Sequence, residues 1–244
     1  MMRLFRAILL LQCALFAQPP LPHLFTSTRP WPEAKANKWY GKQPWLAGSN
    51  YIPASAINQI EMWQENFDPN RIDTELGWAE SIGLNTMRVF LHDLPWSEDS
   101  STFRRRIDAF LNVAARHHIR PIFVLFDSCW DPFPHTGKQH EPTPGVHNSG
   151  WVQSPGATIL QEPMRYLKLE AYVKGVVGAF ANDKRILAWD VWNEPDNMNT
   201  GSYGKLEPTN KVQLVLGLLP QVFSWARAAH PSQPLTSGVW SSDI

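Results

Sequence analysis

The stretch at residues 186–196 constrains the fold of this chain more than any other. It begins with the nearly continuous apolar run Ile-Leu-Ala-Trp-Asp-Val-Trp, which is typical of a strand buried on both faces of a parallel sheet. The run stops at Asn193-Glu194-Pro195, because proline cannot donate a hydrogen bond to a sheet. A carboxylate at the C-terminal end of a buried parallel strand is where α/β barrels carry out their chemistry. We therefore interpret Glu194 as a catalytic residue rather than a solvated turn residue.

Strand and helix patterns alternate from residue 44 to residue 244, which predicts one α/β domain with a parallel sheet. The predicted strands cover residues 45–51, 86–91, 121–126, 186–193 and 235–240. The first long helix is predicted to begin at Asp68-Pro69 and to bury Ile72, Leu76, Ala79 and Ile82. The last is predicted to bury Val212, Val215, Leu216, Leu219 and Phe223.

The strand ends distinguish a barrel from a doubly wound sheet. No glycine-rich phosphate loop follows any predicted strand, whereas polar and aromatic residues collect at the strand ends. These residues are Asn50, His92, Asp127, Trp130, Glu194 and Trp240. The pattern favours a barrel with its site at one rim.

Residues 1–43 precede this domain. Arg3 and Arg6 followed by a short apolar run predict a secretory signal peptide at residues 1–17, since the run is too short to span a bilayer. Residues 18–43 are interpreted as a proline-rich tether and a short helix that begins with Pro32 at its first position and covers the barrel floor. A secreted or periplasmic protein is therefore expected, without membrane contact once the signal is removed.

Charge and cysteine content exclude several classes of protein. The chain has 22 basic and 22 acidic residues, so neither a nucleic acid nor an acidic membrane is an expected partner. Of the two cysteines, Cys13 lies in the predicted signal and Cys129 is expected to be a small buried apolar residue. A disulfide framework is thus not expected. The oligomeric state does not follow from the sequence.

Two motifs together resemble a known family. Trp-Asn-Glu-Pro-Asp at residues 192–196, with Met-Arg-Val-Phe at residues 87–90, is similar to the retaining glycoside hydrolases with a (β/α)8 barrel. The resemblance is to family 5-like cellulases, mannanases and 1,4-β-xylanase-type proteins, over about the first five of their eight strand–helix units. It implies that Glu194 is the acid/base, that Asn193 holds the sugar 2-hydroxyl, and that Arg88 supports the nucleophile.

The resemblance also implies a missing part. The family places its nucleophilic Glu on the seventh strand, so we expect a barrel truncated after about the fifth strand, without the nucleophile and inactive as it stands. One hypothesis is an exported retaining β-glycoside hydrolase that degrades a polysaccharide; the specific polysaccharide does not follow from the sequence. The other is a non-catalytic carbohydrate-binding protein or an inactive fragment.

Several residues have both a functional and a structural interpretation. Asp190 shares strand parity with Trp192 and Glu194, so it is expected inside the barrel as a partner of Arg88, for structure or for catalysis. His92, Asn50, Asp127 and Trp240 are candidate substrate contacts, although His92 equally suits a solvated loop. Trp130 and Trp151 are sugar platforms or core residues, and Trp189 and Trp192 offer further aromatic faces.

No metal or cofactor is predicted. His135, His140, Glu141 and His147 lie in one polar loop, but their spacing matches no zinc pattern. His117 and His118 end a predicted helix, where positive charge is favourable. Glu207 precedes the last helix and is expected at the surface. The expected partner is therefore an oligo- or polysaccharide.

Overall fold

The structure, a computed structural model, describes residues 29–201 and 203–241. The predicted signal peptide and residues 18–28 of the predicted tether lie outside this part. None of the helices within it has the length and apolar character needed to cross a membrane.

The described residues form five strands and eight α-helices. The strands are β1 (Gly48–Tyr51), β2 (Thr86–Phe90), β3 (Arg120–Val124), β4 (Ala188–Asn193) and β5 (Leu235–Gly238). The helices are α1 (Glu33–Tyr40), α2 (Gln59–Met62), α3 (Pro69–Ser81), α4 (Asp93–Glu98), α5 (Ser100–Arg116), α6 (Ala157–Leu160), α7 (Tyr166–Ala179) and α8 (Lys211–Ala228). A short 3-10 turn, Pro163–Arg165, leads into α7.

All five strands are parallel and lie side by side in chain order. Chain order without reversal is the arrangement of a (β/α)8 barrel, whereas a doubly wound sheet reverses its order at a switch point. The predicted fold class is thus confirmed over five strands. The C-terminal ends of these strands share one edge, which brings the sequence motifs together.

The two faces of the sheet differ in chemistry. Side chains on the outer face, such as Val89, Phe123 and Trp189, are fully buried in one large apolar cluster with the helices. The inner face carries a small apolar group of Phe90, Val124 and Trp151. Burial of apolar side chains between the sheet and the helices stabilises the fold by roughly 25 cal/mol for each Å² removed from water. The inner face is therefore free to carry polar groups.

β4 contains a β-bulge, so the predicted regular alternation of its side chains between the two faces of the sheet is wrong. The register with β5 shifts between Asp190 and Asn193, so the simple alternation of faces breaks there. Val191 and Trp192 consequently both lie in the outer cluster, and Asn193 turns inward. Trp189 and Trp192 are fully buried, so the prediction that they offer faces to a sugar is wrong.

Some helix details also differ from prediction. Ile82 follows the end of α3 and is 76% exposed, while Ile72, Leu76 and Ala79 are buried as predicted. In α8 the buried face is rotated: of the predicted residues only Val215 is buried, and the face is completed by Leu218, Val222 and Ala226. Pro32 is the N-cap of α1 rather than its first residue.

Candidate active site

Glu194 follows β4 directly and is half-buried at the C-terminal edge of the sheet. Its φ of 49° is in the left-handed region, which is uncommon for a residue with a side chain. Its backbone N–H donates to the carbonyl of Gly238 at 2.5 Å, which ties this strained residue to β5. Strained backbone held by its surroundings is common at active sites, so the geometry supports a functional interpretation of Glu194.

Two donors contact the same carboxylate oxygen of Glu194. Nδ2 of Asn197 donates to Oε2 at 2.7 Å, and the thiol of Cys129 donates to Oε2 at 3.0 Å. Burial, together with the charges of Asp127 and Glu194, raises the pKa of the Cys129 thiol, so it remains a neutral S–H donor. Cys129 is buried as predicted, but its polar contact with Glu194 was not anticipated. Neither Cys129 nor Asn197 was a sequence candidate for the site.

Arg88 links two residues of β4. Its Nη2 donates to Oδ2 of Asp190 at 2.5 Å and to Oδ1 of Asn193 at 2.9 Å, and its Nε donates to Asp190 at 3.0 Å. The predicted pairing of Arg88 with Asp190 is confirmed. Burial raises the pKa of Asp190, and the Arg88 guanidinium partly opposes this rise. An added Cβ on Gly238 would lie 3.2 Å from Nη2 of Arg88, so a glycine leaves room for this pair.

Asp127 lies beyond the end of β3 and forms an isolated β-bridge with Asn193. Its Oδ1 accepts from Nδ2 of Asn193 at 2.8 Å and from the backbone N–H of Cys129 at 3.0 Å. Burial raises the pKa of Asp127 to about 6. Asp127 is 2% exposed and its Oδ2 has no hydrogen-bond partner among the described residues. The structure thus places Asp127 as a support for Asn193, and the predicted substrate contact is corrected accordingly.

His92 is fully buried, which corrects both its predicted substrate contact and the solvated alternative. Its Nδ1 accepts from the N–H of Leu94 at 3.1 Å, which caps α4. Its Nε2 therefore carries the proton and donates to the carbonyl of Gln153 at 2.8 Å. Burial lowers the pKa of His92, in keeping with a neutral ring.

The remaining residues predicted to contact substrate differ in how deeply they are buried. Trp151 is 8% exposed and packs edge-to-face on Phe90 at 5.1 Å between ring centroids, so it is a core residue. Trp130 is half-buried and contacts His147 edge-on. Trp240 is 67% exposed, and its backbone N–H donates to the carboxylate of Asp196, two residues beyond Glu194. Asn50 is exposed on β1, in register with Arg88.

Glu207 corrects another expectation. It is 7% exposed, and its carboxylate lies 2.6 Å from Nζ of the fully buried Lys211. Asn199 and Gln153 donate to the same oxygen. The spacing of four between Glu207 and Lys211 was visible in the sequence, but such pairs are usually exposed helix pairs. Their burial could not be inferred from spacing alone.

The two histidines that follow α5 form hydrogen bonds with carboxylates of α3. His117 contacts Glu80 and Asp73 at 3.0 and 2.9 Å, and His118 contacts Glu80 at 2.7 Å. These two residues thus join α5 to α3 rather than merely complementing a helix end. Across residues 29–201 and 203–241, no group of three or more His, Cys, Asp or Glu side chains could hold a metal ion.

Parallel strands in chain order, with an Asn-Glu pair at the end of β4 and an Arg on β2, define a (β/α)8 fold with a polar strand-end site. No protein-family model matches the sequence, and no curated protein matches it. Solved structures do match. The chain is similar to an exo-β-1,4-mannosidase from Opitutaceae bacterium strain TAV5, with 20% identity and a TM-score of 0.53. It is also similar to a β-1,4-mannanase from the sea hare Aplysia kurodai (19%, 0.53) and an endo-1,4-β-mannanase from Rhizomucor miehei (16%, 0.52).

These matches cover most of this chain but only part of the others. They include 80%, 80% and 76% of the present chain. In the same order they include 31%, 60% and 56% of the solved proteins. At this level of identity the similarity establishes the fold, and the five described strands are those of a partial (β/α)8 barrel.

Proposed function

We propose that this chain is part of an exported retaining glycoside hydrolase that acts on a β-1,4-linked glycan, with Glu194 as the acid/base. The observation that carries the proposal is the position of Glu194, a half-buried residue at the strand edge whose carboxyl group is held through Oε2. Oε1 takes no part in these two hydrogen bonds. It is the oxygen proposed to deliver a proton to the glycosidic oxygen and to recover one from water in the second step.

The second carboxylate of a retaining mechanism must stand about 5–5.5 Å from the acid and attack the anomeric carbon. Among the described residues, Glu194 is the one Glu that directly follows a strand. Asp190 is paired with Arg88, and Asp127 supports Asn193. We therefore propose that the nucleophile belongs to strands beyond the five described ones. Arg88 would then exchange part of its contact with Asp190 for that carboxylate.

Mannan is the first substrate to test, because the three solved proteins above are described as mannosidases or mannanases. The gene downstream of the codon for Ile244 is sequenced first, and any continuing reading frame is expressed with it. In that protein, Glu194→Gln should abolish most turnover of mannan but preserve the first-step rate on a dinitrophenyl β-mannoside, whose leaving group needs no proton. The control is Glu162→Gln, since Glu162 forms an exposed pair with Arg165.

Equal losses on mannan and on the activated glycoside would contradict an acid/base role. The chain of 244 residues alone should hydrolyse neither β-glucan, mannan nor xylan. Turnover by that chain, abolished by Glu194→Gln, would show that the nucleophile lies within it.

A non-catalytic carbohydrate-binding protein is the second candidate. The observation in its favour is that Arg88 is paired with Asp190 and Asn193, so its charge has a partner without a nucleophile. A stop codon after Ile244, combined with binding of mannohexaose and no hydrolysis of it, would support the non-catalytic carbohydrate-binding function.

A further inference from the structure

A buried ion pair lies beside the candidate active site without belonging to it. Nζ of Lys211 is 2.6 Å from Oε1 of Glu207, and neither side chain is exposed to solvent. Removing two charges from water is costly even when they pair, and well-packed apolar residues often serve stability equally well. Stability alone therefore does not explain the pair.

The pair connects two loops that follow neighbouring strands. Lys211, the first residue of α8, also donates from Nζ to the carbonyl of Ser128 at 2.5 Å. Asn199 donates to Oε1 of Glu207 at 2.8 Å, and Gln153 donates to the same oxygen. Ser128 and Gln153 belong to the loop after β3, whereas Asn199 and Glu207 belong to the loop after β4.

The same network ends on the backbone of Trp130. The carbonyl of Trp130 accepts from Asn199 Nδ2 at 2.6 Å and from Gln153 Nε2 at 3.2 Å. The N–H of Trp130 donates to Oδ1 of Asn199 at 3.3 Å. Trp130 has a φ of 76°, a conformation that a bulky residue keeps only where its surroundings impose it. Both polar groups of its backbone are thus held by residues that also bind Glu207.

We infer that the buried Glu207–Lys211 pair is a positioning unit for Trp130, which holds its half-buried ring at the rim as a platform for a sugar ring. Glu207 gathers Asn199 and Gln153 on one oxygen, Lys211 fixes the adjoining Ser128 carbonyl, and the two amides hold Trp130. Neither charged residue touches the ligand. The identity of the ligand rests on the proposed function, whereas the control of Trp130 conformation does not.

The test removes both charges together, as Glu207→Gln with Lys211→Met, so that no unpaired ion remains buried. The matched control is Glu170→Gln with Lys174→Met, the same residue types at the same spacing on the outside of α7. Amide hydrogen exchange is followed at residues 128–131, with β2 as the internal reference for global stability. We expect exchange at residues 128–131 to rise about tenfold or more relative to β2, and the control pair to leave it unchanged.

Asn199→Ala is a second variant, which leaves the ion pair whole but removes the link to Trp130. It should give the same local rise in exchange, which keeps the test valid if the double variant does not fold. Unchanged exchange at residues 128–131 in whichever of these variants folds would overturn the inference.

Binding of mannohexaose and cellohexaose by the 244-residue chain supplies the functional readout. The double variant Glu207→Gln/Lys211→Met should bind these sugars more weakly than the unaltered chain. When Trp130 is already replaced by Ala, adding the double variant should cause no further loss of binding, since the ion pair acts on binding through the Trp130 ring. Additive losses would overturn the positioning role. If the unaltered chain binds neither sugar, the proposed ligand is wrong, and the exchange data alone decide whether the pair positions Trp130.

Discussion

The Sγ atom of Cys129 lies 3.0 Å from Oε2 of Glu194. A thiol is a weak donor, and here it shares its acceptor oxygen with the stronger amide donor of Asn197. The contact orients one face of the Glu194 carboxyl group. It also makes Cys129 a chemical probe of the site.

Cys129 should react slowly with iodoacetamide in the native protein. The thiol is 6% exposed, and its raised pKa leaves little thiolate, which is the reactive form. We expect a rate more than about 100-fold below that of an ordinary exposed cysteine, and rapid reaction in denaturant. Mass spectrometry of the peptide containing Cys129 measures the rate separately from Cys13. Fast native labelling would show that the thiol is not held against Glu194 as described.

Asp190→Asn should destabilise the chain through its partner Arg88. Loss of the carboxylate leaves a guanidinium without its counter-charge, which costs about 3–5 kcal/mol in a buried pair. Because the Arg88 side chain is 23% exposed, we expect the lower end, about 3 kcal/mol. The control Glu162→Gln breaks an exposed pair and should cost less than about 0.5 kcal/mol. Urea unfolding of both variants measures the difference, and equal midpoints would contradict the prediction.

Ionisation of Asp127 should lower the free energy of unfolding as the pH rises. Its pKa is about 6 in the folded chain, above the ordinary value near 4 in the unfolded chain. The folded state therefore binds the proton more tightly, and the stabilisation present below pH 4 is lost as the pH passes through 6. Asp127→Asn lacks this loss, so its unfolding free energy relative to the unaltered chain should grow by about 3 kcal/mol between acidic pH and pH 7. A difference independent of pH, measured by urea unfolding across this range, would refute it.

Two glycine substitutions on helices should have opposite effects. An added Cβ at Gly175 in α7 would clash with the ring of Trp96, so Gly175→Ala should destabilise by about 1–3 kcal/mol. At Gly217 in α8 nothing lies within 4 Å, and Gly217→Ala should stabilise by about 0.5–1 kcal/mol. Thermal melts of the two variants provide the comparison. Shifts in the same direction would contradict the packing of Trp96 against α7.

Much of the fold could be predicted from the sequence because its strands and helices carry regular periods. The apolar run before Glu194 and the alternation of elements along the chain were enough to infer parallel strands in order. The pairing of Arg88 with Asp190 could also be inferred, since an inward-facing guanidinium needs a partner.

The predictions that were wrong concern places where the chain departs from regular secondary structure. Alternation along a strand cannot foresee the bulge that turns Trp192 outward and Asn193 inward. The buried Glu207 accepts a hydrogen bond from Gln153, a residue 54 positions away in the chain. Cys129 lies in the long loop after β3, whose course has no sequence period. These long-range contacts shape the site more than they shape the fold.

The hydrogen bond from Glu194 to the carbonyl of Gly238 has a consequence for how the protein is made. A growing chain can begin to bury its helices while it is still on the ribosome, well before β5 has been synthesised. Until β5 pairs, the backbone of Glu194 lacks the acceptor that holds its left-handed conformation. Glu194 can therefore be held in this conformation only after β5 has been synthesised and has paired with β4, and local opening of β5 would release it before the core opens.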